Sequence, residues 1–64
     1  MAYSNALAYL ESKLGEERVL IVEALVQGKL DEGEYKRLCG ALQGLDLAIG
    51  YSKDLAKRLE RDDE

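Results

Sequence analysis

The chain has no proline, histidine, tryptophan or phenylalanine, and only one cysteine and four tyrosines. Without proline, nothing in 64 residues forces a helix to kink or stop. Without histidine, the usual general base at neutral pH is missing. Cys39 is the sole thiol, so no disulfide can form within the chain, and a zinc site would lack donors. No catalytic, cofactor-binding or metal-binding set can be assembled from what remains, and the chain reads as non-enzymatic and cofactor-free. Long hydrophobic runs are absent too. The most apolar one, Val19 to Val26, contains Glu23 and falls far short of the ~20 residues of a membrane span. The net charge of −4 argues against general binding to nucleic acid or an anionic membrane. The opening Met1-Ala2-Tyr3-Ser4-Asn5 lacks the basic segment of a signal peptide. A lone cysteine suits a reducing compartment. These features predict a soluble intracellular protein.

What the chain does have is an unbroken heptad. Tyr35, Leu38, Leu42, Leu45, Ile49, Ser52, Ala56 and Leu59 recur at alternating spacings of three and four. That is the seam of one long helix lying along another. So short a chain has room for one comparable helix, so the expected fold is all-α, an antiparallel two-helix hairpin. A hairpin of this size gains little area against its folding entropy. With disulfide and metal excluded, self-association remains, and a dimer forming a four-helix bundle is expected.

The boundaries follow from local signals. Ser4 or Asn5 can cap a first helix over about 4–27. Gly28 stands where a residue of positive φ is wanted after a helix end. Asp31, with Glu34 three residues on, is a capping-box variant and places acids at the positive end of the next helix dipole. This gives a loop over 28–31 and a second helix over about 32–61, with Arg58 and Arg61 at its negative end. Together these make one domain over 1–61, followed by an acidic disordered tail over 62–64. Gly15 weakens the middle of the first helix, since glycine there costs about 1 kcal/mol relative to alanine. A continuous helix is nevertheless expected.

Each helix carries more apolar surface than one neighbour can cover. The first has one stripe of Leu7, Leu10, Leu14, Ile21 and Ala24, interrupted by Glu17. A second stripe holds Ala8, Ser12, Gly15, Val19, Val22 and Val26. The two lie about 100° apart. On the second helix Ala41, Ala48 and Leu55 widen the seam, and a further stripe holds Gly40, Gly44, Leu47 and Tyr51. Small residues let a neighbouring backbone approach closely. Gly40, Gly44, Leu47, Tyr51, Val19, Val22 and Val26 are therefore the candidate partner-interface residues, with Tyr51 the best single anchor. Tyr35, which begins the seam, is expected in the core.

The remaining polar groups have ordinary readings. Cys39, beside the seam and with no imidazole partner, is expected to be a buried, inert small hydrophobe. Glu11, Glu16, Glu17 and Glu23 alternate with Lys13 and Arg18 as on a solvated face. Glu17 is the exception, placed to pair with a base such as Lys53 across the hairpin or to set the register. Lys53, Lys57, Arg58 and Arg61 form a basic ridge that could meet phosphates, but Asp54, Glu60 and the acidic tail dilute it.

In plan the chain is similar to Rop, a plasmid-encoded RNA-binding protein whose helical hairpins dimerise into a four-helix bundle. The likeness is one of length, turn and acidic tail. The run Glu34-Tyr35-Lys36-Arg37-Leu38-Cys39-Gly40-Ala41-Leu42-Gln43-Gly44-Leu45 resembles short phage-encoded helical-hairpin proteins of mostly unassigned role, which share a Glu-Tyr-x-x-Leu-Cys-Gly-x-x-x-Gly-Leu core. The resemblance spans roughly Glu23 to Leu59. It implies a phage protein acting in the host cytoplasm or in the virion. The expected function is helix-mediated protein binding in the virion or in head assembly. The alternatives are a small inhibitor or regulator of a host protein, and a Rop-like RNA-binding dimer. The partners expected are further copies of the chain and another protein.

Overall fold

The structure is a computed structural model that describes the backbone of residues 2–62 and the side chains of residues 5–61. Two helices make up nearly all of it: α1, Ala2–Gln27, and α2, Glu32–Asp62. They pack against each other as an antiparallel hairpin. The fold is all-α among the described residues. The molecule measures 50 × 15 × 13 Å. The long dimension is set by α2, since 31 residues rise about 46 Å at ~1.5 Å each. A compact chain of this length would have a radius of gyration of about 11 Å; this one has 15.0 Å.

The turn is built as its residues dictate. Gly28 has φ +70°, the left-handed conformation in which a side chain would be strained. Asp31 accepts the Glu34 amide at 2.8 Å through its carboxylate, and its carbonyl accepts the Tyr35 amide at 2.9 Å. Two amides at the free start of α2 are thereby satisfied. α1 runs through Gly15 without a break. It begins at Ala2, earlier than the expected caps at Ser4 or Asn5, so neither residue stands at the helix boundary. Asp62, expected in a disordered tail, is the last residue of α2, and Asp63 and Glu64 lie outside the described residues.

Along α2 the heptad holds from its second member onward. Leu38, Leu42, Leu45, Ile49, Ala56 and Leu59 are half-buried, and Ser52 is 5 % exposed. The Ser52 hydroxyl donates to the Ile49 carbonyl at 2.9 Å, so a polar group at the seam's tightest point is satisfied within its own helix. Tyr35 departs from expectation: it is 53 % exposed. It lies on the first turn of α2, beside the loop, and the last turn of α1 does not cover it.

The facing side of α1 keeps four of the five expected seam residues: Leu7, Leu14, Ile21 and Ala24 are half-buried, as are Glu11 and Leu25, whereas Leu10 is exposed. Arg18 occupies the heptad position between Leu14 and Ile21. Its Nε donates to Asp46 Oδ1 at 2.6 Å, an ion pair that joins the middles of the two helices. Glu17, expected to pair with a base such as Lys53 across the hairpin or to set the register, is exposed. The hydrogen bond to Asp46, and after it the carboxylate's charge, raise the Arg18 pKa above its ordinary value. Both side chains remain about half exposed, so the pair fixes alignment more than it adds stability.

Two expectations follow. Leu42→Ala or Leu45→Ala should lose about 2–3 kcal/mol in denaturant unfolding, the low part of the range for leucine truncation because both sites keep some exposure. The second concerns pH. The Glu34 amide, hydrogen-bonded to the Asp31 carboxylate, lowers the Asp31 pKa below its ordinary 3.8. A depressed folded-state pKa gives stability that is complete above the unfolded value and lost as pH falls through the folded one. Thermal melts followed by circular dichroism should fall from pH 5 to below 3.8, and Asp31→Asn should flatten that fall.

Candidate partner interface

No hydrophobic residue among those described is buried. That single fact locates the candidate site, because the apolar side chains that the hairpin leaves open are the ones available to a partner. Tyr9, Leu20 and Tyr35 are among them, and the candidate interface residues fall on two flanks. Arg18 and Asp46 mark one flank of the hairpin. On α2 the stripe of Gly40, Gly44, Leu47 and Tyr51 lies roughly 140° round from the seam, toward the opposite flank, at ~100° per residue. Leu47 is 61 % and Tyr51 72 % exposed, and Gly40 and Gly44 are exposed as well.

The stripe does not stop at α2. An apolar cleft of about 350 Å³ opens on the same flank, lined by Leu7, Leu10 and Leu14 of α1 and by Ala48, Tyr51, Ser52 and Leu55 of α2. Leu10 and Leu55 stand at its rim, partly exposed. The cleft joins the α2 stripe to the edge of the α1 seam, and Tyr51 belongs to both. Sequence periodicity did not show this junction. Its signal was present in Leu10, which sits one step off the α1 seam and therefore at its edge.

A Cβ added at Gly40 or Gly44 would meet nothing within 4 Å. Neither glycine is needed for the hairpin's own packing. Yet each costs about 1 kcal/mol in a helix relative to alanine. Gly44 stands beside the cleft on an open face, where a neighbouring backbone could approach closely.

The valine stripe lies on the other flank of α1, together with Ala8, Ser12 and Gly15. Val26 is 79 % exposed, Val19 is exposed and Val22 is half-buried. The structure does not bring the valines together with Gly44 and Tyr51, so the candidate residues divide into two separate surfaces. Cys39, expected to be buried, is half-buried. The basic ridge is partly neutralised on its own helix, where Arg58 Nε donates to Asp54 at 2.9 Å. Lys36 likewise meets Glu32 at 3.5 Å. Lys13 lies 3.8 Å from Glu16 and 5.6 Å over the ring of Tyr9.

Among the described residues, no helix is long and apolar enough to cross a membrane, and no three of His, Cys, Asp and Glu gather as a metal site would require. No protein-family model matches the chain, and no curated protein or solved structure matches it either.

If the glycine flank is an interface, Gly44→Leu should leave the helix content unchanged or raised, because leucine favours helix over glycine. It should also abolish association. Circular dichroism beside sedimentation reads both, and unchanged association would mark the stripe as ordinary surface.

Proposed function

We propose that the chain is a non-enzymatic protein that works by helix-mediated protein binding, as a phage virion or head-assembly component. The observation that carries the binding half of this reading is a folded hairpin with no buried hydrophobic residue among those described. Two long helices pre-organise apolar side chains in rows, and such rows recognise other helices through spaced anchors. The absence of His and the ordinary solvated carboxylates support a role without catalysis. The phage assignment rests on the resemblance of the Glu34–Leu45 run to short phage-encoded hairpin proteins.

The binding partners are copies of the chain and a second protein. The separation of the glycine and valine flanks supports this division, since two surfaces on opposite sides of one hairpin can be occupied together. An inhibitor of a host protein would use the same surfaces, but would be absent from the particle.

Mass spectrometry of purified virions, beside a pull-down from infected cells, tests the reading. The expected result is the chain present in particles in fixed ratio to a structural protein. Recovery only in the host fraction, bound to a host protein, would overturn the assembly role in favour of the regulator.

A further inference from the structure

We propose that the glycine flank pairs with the same flank of a second copy, α2 against α2 and antiparallel, with Tyr51 of each chain seated over Gly44 of the other. The proposal deepens the binding reading above, since it names the occupant of one of the two surfaces.

The area points to a second copy. A compact monomer of 7.1 kDa exposes about 4,100 Å² by the usual scaling. This chain exposes 5276 Å². The excess, roughly 1,200 Å² per chain spread over the whole elongated surface, is large enough to supply the ~800 Å² that each partner contributes to a standard stable interface. An identical copy carries the same excess and the same flank, and a two-fold contact uses one patch twice.

The order of residues along α2 points to the direction. Gly44, Ala48, Tyr51 and Leu55 follow one line beside the seam, with Gly40 just off it. The small residues occupy its first half and the large ones its second. A parallel pair would set glycine against glycine and Tyr51 against Tyr51, leaving a gap at one end and a collision at the other. An antiparallel pair centred between Leu47 and Ala48 sets Gly44 against Tyr51 and Gly40 against Leu55. Each large side chain then meets a position where nothing within 4 Å occupies the space of a Cβ. The same arrangement brings the apolar cleft of each copy, with Tyr51 in its wall, against the opposing helix. One like-charge approach results, Arg37 against Arg58 of the second copy at the rim. Asp54 lies 2.9 Å from Arg58 in each chain and offsets it.

Disulfide trapping tests the register. In a Cys39→Ser background, Gly44→Cys and Tyr51→Cys variants are made separately, checked for association by sedimentation, mixed and oxidised. A disulfide needs Cα atoms within about 7 Å, a separation that facing positions reach. The expected product is the mixed dimer, identified by its mass, in severalfold excess over either homodimer. A second mixture, Gly40→Cys with Leu55→Cys, preserves the test where a substitution in the first pair itself prevents association. Dominant homodimers of Gly44→Cys and of Tyr51→Cys would show a parallel pair and overturn the proposal. Association without mixed products from either mixture would overturn the register while leaving protein binding intact. A Cys39→Ser chain that stays monomeric at 100 µM, well above the micromolar range in which the pairing is expected, would overturn self-pairing, and the virion measurement would then decide the function on its own.

Discussion

Two helices lying side by side cannot enclose a side chain. Each covers one face of the other, and every residue at the contact keeps an edge open to water. This geometric limit shapes the whole molecule. The seam leucines of α2 are half-buried, and the most enclosed residue is a serine. Apolar burial stabilises at about 25 cal/mol per Å², so a row of half-covered leucines gives only part of what the same residues would give inside a bundle. Chains below about 70–80 residues commonly make up such a deficit with disulfides, metals or association. The single Cys39 and the lack of histidine rule the disulfide out within this chain and disfavour a metal. Association is the remaining remedy, and it is the one proposed above.

Much of the fold was legible because it depends on local rules. Gly28 announced the end of α1, since a left-handed residue is needed there and glycine takes that conformation without strain. Asp31 announced the start of α2 through an oxygen able to accept a free amide. The α2 seam followed from its regular spacing. On α1, Leu7, Leu14, Ile21 and Ala24 of the expected stripe face α2, and only Leu10 turns out to be exposed. Less legible was Arg18, an apparently solvated residue that stands at a seam position and pairs with Asp46 across from it. Periodicity counts apolar residues and overlooks an ion pair that replaces one. Tyr35 failed for a different reason. It satisfies the heptad, but the heptad assumes that the partner helix continues past it, and α1 stops at Gln27.

The candidate interface was legible as a set of residues but not as a surface. Gly40, Gly44, Leu47 and Tyr51 could be recognised as off the seam from spacing alone. The cleft that Tyr51 shares with Leu10 and Leu55 needed three dimensions, because it depends on which side of α1 faces α2 there. The division of the candidates into two flanks needed the structure as well. Spacing within each helix fixes angles about that helix's own axis. The relative rotation of the two helices is fixed by contacts between them, and here Arg18 and Asp46 give the clearest mark of it.

Glycine on an exposed helical row weakens the isolated helix and admits a close neighbour, and both effects act in the same direction. The isolated hairpin is made less stable, and any associated form would recover the loss through contact between backbones. Folding and association then become linked, because a partner that binds only the folded chain stabilises it in proportion to the logarithm of its concentration. The valine flank does not share this feature to the same degree. Its branched side chains are stiff and project outward, so they suit contact between side chains better than contact between backbones.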